Sequence, residues 1–165
     1  MKLSEIYYNK EMPAGTYVGV RFDDDTKKRI MDLMAELKLK NPIPQDKLHS
    51  TLVYSDKKNL DGFTAKNPAG YKAKPKGFTL FDNSQNPGSK CLVMELDCDD
   101  LHARHSDIVG QYDVEEKFPE YKPHITLSYD YDGEVPDQSL LDKLGIIGIE
   151  SEYDEPINDN FAKSL

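Results

Sequence analysis

Tryptophan is absent from this 165-residue chain, and cysteine occurs only twice. Cys91 and Cys98 stand at the two ends of one alternating segment. In extended backbone that separation is roughly 23 Å, far beyond disulfide reach, so a disulfide-stapled scaffold is excluded and two reduced thiols fit a cytosolic protein. Long apolar runs are also missing. No stretch nears the ~20 residues that a membrane-spanning helix needs, and the opening MKLSEIYYNKEMPAG lacks the apolar core of a signal peptide. A soluble, cytoplasmic protein with no membrane partner is expected. Basic charge is scarce: 21 Lys and Arg against 30 Asp and Glu leave a net charge of −9. Long nucleic acids are held largely by counterion release from a basic surface, so this surface disfavours them as partners, while a small anion enclosed in a groove remains compatible.

What is present is a globular composition, 38% hydrophobic with ten Tyr and six Phe. Residues 1–165 suit a single domain, built either as one unit or as two small lobes sharing a core. Two nine-residue stretches stand out, Lys47–Ser55 (KLHSTLVYS) and Lys122–Asp130 (KPHITLSYD), with Lys, His, Thr, Leu and Tyr at five matching offsets. Both read as strands, since β-branched and aromatic residues alternate with polar ones. A side-chain period of two puts His49 and Thr51 on one face and Leu48, Leu52 and Tyr54 on the other. In the second copy His124 and Thr126 share a face, opposite Ile125, Leu127 and Tyr129. One His-x-Thr carries little information. Two in matched register predict a single site where two imidazoles and two hydroxyls meet about a pseudo-two-fold axis.

The flanking segments repeat as well. Thr16–Phe22 alternates Val18, Val20 and Phe22 against Tyr17, Gly19 and Arg21, and a helix comes next with Ile30, Leu33, Met34 and Leu37 on one stripe. Pro42 and Pro44 end that unit before the first histidine strand. In the second half, Cys91–Cys98 forms a strand, Asp99 and Asp100 cap a helix striped by Leu101, His105, Ile108, Val109 and Tyr112, and the second histidine strand comes after it. Between the halves, 56–75 reads as a long exposed connection and Lys76–Asp82 as a further strand. Asp137–Leu144 is a short helix candidate and Gly145–Tyr153 a last strand, whose Ile147 and Ile149 mark the buried face. Glu150 and Glu152 fall opposite by alternation, and the polar tail 154–165 is expected to be loose.

Cleaving a phosphodiester needs a base for the attacking oxygen and an acid for the departing one. Two histidines near their ordinary pKa supply one ring of each kind at neutral pH, and either can take either role. Thr51 and Thr126 can donate to the non-bridging oxygens. No metal or other cofactor is required; His102 and His105 are three apart on a helix but His105 belongs to its apolar stripe, and the cysteine pair lacks ligand spacing. Arg21, Lys47 and Lys122 lie on the predicted groove face as phosphate contacts or as solvated charges. Phe63 and Tyr71 can stack on a base or anchor the long loop to the core.

The paired His-x-Thr strands resemble the signature of the 2H phosphoesterase superfamily. That resemblance implies an α+β, bilobal fold of two pseudo-symmetric antiparallel-sheet lobes, with outer helices and a central groove. Within the superfamily the chain is most similar to phage anti-CBASS cyclic-oligonucleotide phosphodiesterases, through both His-x-Thr-Leu strands, Tyr17 in GTYVGVRF and the acidic residues near Glu152. The resemblance implies cleavage of 3′–5′ bonds in cyclic di- or trinucleotides, with Tyr17 and Glu152 joining the histidines and Glu150 competing for the Glu152 role. Without tryptophan, base stacking must fall to Phe63, Tyr71 or Phe161. General 2H chemistry on 2′–5′ oligonucleotides or 2′,3′-cyclic phosphate ends, and mere sequestration of a cyclic nucleotide, are the alternatives.

Overall fold

The computed structural model describes residues 15–83, 85–118 and 120–157. Val18, Val20 and Phe22, at alternate positions, are fully buried and define β1 (Thr16–Phe22). Asp23 then caps α1 (Asp24–Leu37), its side chain accepting from Thr26 N at 2.8 Å, and Ile30, Leu33 and Met34 turn inward. A single 3-10 turn at Gln45–Lys47 leads to β2 (Ser50–Ser55). β3 (Tyr71–Asp82) and β4 (Lys90–Asp97) form a hairpin that runs into α2 (Asp99–Tyr112). β5 (His124–Tyr131) and β6 (Ile147–Pro156) follow, with a 3-10 segment at Gln138–Lys143 where the sequence suggested a helix. Asp154–Pro156, expected to begin a loose tail, instead pair with β1 because β6 runs the length of that strand, and 158–165 lie outside the described residues.

All pairings are antiparallel, in the order β2-β1-β6-β3-β4-β5. This α+β arrangement agrees with the expected fold class. Two details differ from the sequence reading. β3 starts at Tyr71, and its first residues Tyr71–Ala73 pair with β6 while Lys74–Asp82 pair with β4. One strand therefore serves both lobes; its Lys- and Pro-rich start reads as loop, yet Ala73 is buried, and Pro75 is accommodated where the register with β4 shifts. The second detail is the start of α2. Cys98 occupies the N-cap position without a side-chain bond, so Asp99 and Asp100 act from the first turn, through the helix dipole.

One apolar cluster runs from Val18 and Ile30 through Leu92 and Met94 to Leu101 and Leu127, between the helices and one sheet face. The outermost strands, β2 and β5, approach each other. Pro42 bridges Ser128, Ile43 N donates to Leu127 O at 2.9 Å, and the Tyr121 hydroxyl donates to Thr51 O at 2.9 Å. The sheet is thus rolled until its two edges, each bearing a histidine motif, face one another.

Candidate active site

His49 immediately precedes β2 and His124 opens β5. Each ring is pinned in the same way: Nδ1 lies 2.8 Å from the carbonyl oxygen of the lysine two residues upstream, Lys47 or Lys122. A carbonyl only accepts, so Nδ1 carries the proton in both rings and Nε2 is the atom left for proton exchange. His124 is held below the ordinary histidine range by burial, and the nearby His49 charge adds to that lowering, against the Lys122 bond and Glu95. The two imidazoles therefore feel each other across the groove.

Strict alternation fails in both motifs, at the same offset. Gly19 pairs with Thr51 and Val18 with Val53, leaving Leu52 as a bulge; Val93 pairs with Thr126 and Leu92 with Ser128, leaving Leu127 as a bulge. Each leucine is fully buried. The inserted residue reverses the facing of every side chain beyond it, so Tyr54 and Tyr129 join the threonine face, contrary to their predicted place opposite it. Tyr54 pairs with Tyr17, their rings 6.5 Å apart. The Tyr17 hydroxyl meets Thr51 Oγ1 at 3.0 Å, and Tyr129 shares a hydrogen bond with Thr126. Tyr17 is only 1% exposed. Burial pushes its phenol well above the usual value, and burial also pushes Tyr129 up to about 12, so both remain protonated hydrogen-bonding groups at neutral pH.

The neighbours of the two rings differ. The β1–β2 ladder ends at Val20–Ser50, and the Tyr17 ring of β1 packs edge-on to His49 with centroids 6.2 Å apart, whereas Glu95 of β4 pairs directly with His124. Arg21 stacks on Tyr153 with its guanidinium carbon 4.0 Å from the ring centroid. Glu95 accepts a 2.9 Å bond from Thr79 Oγ1, and the Phe81 ring packs edge-on to His124 at 4.9 Å. Glu95, Tyr153 and Phe81 are not among the site residues the sequence proposes, and Tyr129 is one it places on the opposite face. Glu95 is legible in retrospect, as the only acid inside an otherwise apolar run, CLVMEL.

Glu152 does not reach either imidazole. Arg21 pairs with Ser151 and Phe22 with Ile149, so Glu150 is a bulge and Glu152 returns to the helical face of the sheet with Val20, its strand partner. There it is 3% exposed, binds Arg104 at 2.9 and 3.0 Å, and accepts from Lys66 N and the Tyr71 hydroxyl, both at 3.0 Å. Burial alone would raise this carboxyl, but the Arg104, Lys66 and Tyr71 bonds outweigh it and hold the group below the usual carboxylate range. Glu150 is exposed, and its carbonyl accepts from Ala69 N at 2.7 Å.

The 56–70 connection is thereby tied to the helical face. Phe63 lies edge-on to Tyr112 at 6.3 Å with Arg104 above it, and Tyr71 is committed to Glu152, so neither sits among the histidines. Lys47 and Lys122 serve through their carbonyls; their side chains are exposed and carry no ion pair among the described residues. Phe161 lies outside the described residues. Among the described residues, no three His, Cys, Asp or Glu side chains are grouped as metal ligands.

Known proteins share this architecture and sequence. A family model described as anti-CBASS protein Acb1 matches residues 14–164. The anti-CBASS protein Acb1 of Acinetobacter phage Ac42 is 36% identical over 170 residues, covering 98% of this chain and 99% of the relative. That of Salmonella phage S16 is 31% identical over 161 residues, covering 94% and 97%. Among solved structures, E. coli LigT complexed with ATP aligns with a TM-score of 0.51 at 15% identity, covering 87% of this chain and 86% of that one. The chain belongs to the Acb1 family of anti-CBASS proteins and has the fold of the 2H phosphoesterases.

Proposed function

We propose that the protein is a metal-independent phosphodiesterase that opens 3′–5′-linked cyclic di- and trinucleotides in the host cytoplasm and so silences CBASS antiphage signalling. The observation that carries this reading is the matched mounting of two imidazoles, each with Nδ1 spent on a backbone carbonyl and Nε2 left to exchange a proton, in a chain of the Acb1 family. His124, with its lowered pKa, is the neutral ring that takes the proton from a ribose 2′-hydroxyl. The 2′-oxygen bonds to phosphorus, the bond to the 5′-oxygen breaks, and His49 Nε2–H protonates that leaving oxygen. The ring becomes a linear oligonucleotide with a 2′,3′-cyclic phosphate and a free 5′-hydroxyl.

The threonine hydroxyls stabilise charge on the non-bridging oxygens. Either hydroxyl can donate in the Tyr17–Thr51 hydrogen bond; when a phosphate binds, donation by Tyr17 leaves the Thr51 proton for the phosphate. Tyr17 thus positions Thr51, while Glu152 secures the strand and loop behind it.

The test is incubation of purified protein in EDTA with cyclic di- and trinucleotides, a linear 2′–5′ oligoadenylate and a nucleoside 2′,3′-cyclic phosphate. Opening of the rings by wild type and its loss in His49→Ala are expected. Turnover of the other substrates alone would move the chain to general 2H chemistry, and binding without turnover would make it a sequestering protein.

A further inference from the structure

Gly19 lies mid-strand, where a residue without a side chain weakens a sheet unless something approaches closely. Here the Tyr153 ring does: a Cβ on Gly19 would come within 2.7 Å of it. Tyr153 is the β6 partner of Gly19 and lies across it. Arg21, next on the same face of β1, packs on that ring with its guanidinium carbon 4.0 Å from the centroid. The Tyr153 hydroxyl also bonds to Tyr17, which reaches Thr51. Glycine, tyrosine and arginine are thus packed together on the face of β1 that bears Tyr17, with the exposed Arg21 cation as their solvent-facing layer.

The charge on that layer is not matched by an acid. Of the three arginines in the chain, Arg29 pairs with Asp25 and Arg104 with Glu152, whereas Arg21 has no carboxylate partner among the described residues. In a protein of net charge −9, a cation kept clear of carboxylates is a local site for an anion. Stacking on tyrosine leaves the donor edge of a guanidinium free and limits the rotamers it must give up on binding. That edge is a planar fork matched to two phosphate oxygens.

We propose that Arg21, carried on Tyr153 over Gly19, binds the phosphodiester of a cyclic oligonucleotide that is not being cut. Any such ring brings at least one further phosphate when the scissile one sits between His49 and His124. The assignment rests on the proposed phosphodiesterase function and adds to it a basis for preferring rings over single-linkage substrates, with Tyr153 as a positioning residue.

Steady-state kinetics on 3′–5′ cyclic di-adenylate and on linear adenylyl-3′,5′-adenosine, which has the same bond and one phosphate, separate the possibilities. Where the linear probe turns over too slowly, its inhibition constant against the ring replaces its KM. Arg21→Ala is expected to raise KM for the ring by about 10–100-fold, the loss of a charge-assisted contact, and to affect the linear probe at least tenfold less. Tyr153→Leu and Gly19→Ala, which remove or displace the ring, should move the same way, and Tyr153→Phe should restore the preference. Circular dichroism verifies that each variant is folded. Equal losses on both probes, or no loss in Arg21→Ala, would each overturn the subsite. A wild type that opens no ring overturns the functional reading and the subsite together.

Discussion

His49 and His124 are mounted alike. Each Nδ1 donates to a lysine carbonyl two residues back, each strand bulges at the leucine after the threonine, and each threonine hydroxyl meets a tyrosine. Their flanking strands are unlike. His49 meets the Tyr17 ring of β1, and beside His124 β4 presents Glu95; Thr51 draws its tyrosine from β1, Thr126 from its own strand. Burial weighs on His124 and lowers its pKa. The comparison teaches how a repeated backbone can perform an unsymmetrical reaction. General acid–base catalysis needs two imidazoles in different protonation states, and two equal mounts become unequal through the charges and burial that neighbouring strands impose.

The severest way to test the equivalence of the mounts is to remove each ring. His49→Ala and His124→Ala should each lower kcat by roughly 10²–10⁴-fold, and the double variant should be little worse than the poorer single. Additive losses in a double-mutant cycle would mean that the rings do not act as a unit.

Next in size is a contrast between two carboxylates. Glu152→Ala leaves the half-buried Arg104 without its partner and the Tyr71 hydroxyl and Lys66 N–H without their acceptor, which should cost about 1–3 kcal/mol of stability, read from urea unfolding, while activity per folded molecule stays close to wild type. A severe kcat loss in a protein of unchanged stability would instead return Glu152 to the chemistry. Because its folded pKa is depressed, the stability Glu152 contributes is complete above the ordinary glutamate range and declines as pH falls through the lower folded value. Glu152→Gln lacks that titration, so its stability should fall less steeply with acidification than that of wild type; an unchanged slope would show that the carboxylate is not coupled to folding.

A smaller effect should separate the two threonine supports. Tyr17→Phe removes the hydroxyl that faces Thr51, and about a tenfold fall in kcat is expected from one lost hydrogen bond. Tyr129→Phe should do no more, since its partner lies on the same strand. Equal KM increases without a kcat change would show that both tyrosines serve binding alone.

The subtlest prediction concerns Glu95. Its charge favours the His124 imidazolium, so Glu95→Gln should lower the His124 pKa further. With His124 as base, the acid limb of the kcat/KM profile moves to lower pH; movement of the alkaline limb instead would exchange the roles of the two histidines.

Much of this site was legible because its pattern is local. The duplicated His-x-Thr-Leu needs no tertiary information, and the inward positions Val18, Val20 and Phe22 come from alternation alone. The reading failed at Tyr54, Tyr129 and Glu152, each of which lies just beyond a bulge. One inserted residue reverses every later side chain, and nothing in VYS, SYD or SEY signals it, because the insertion is defined by the partner strand. The exposed-loop reading of Tyr71–Pro75 failed for a related reason. Its polar side chains describe its solvent face, whereas its pairing with β6 and β4 is made by backbone groups that carry no sequence mark.

By itself the sequence determined that two equivalent strands would each carry a histidine, a threonine and an apolar back. Tertiary structure alone decided which carboxylate stands beside an imidazole. Glu95 and Glu152 are both acids within alternating strands, and only strand register, set by bulges and by the partners across the sheet, sends one to the groove and the other inward to Arg104.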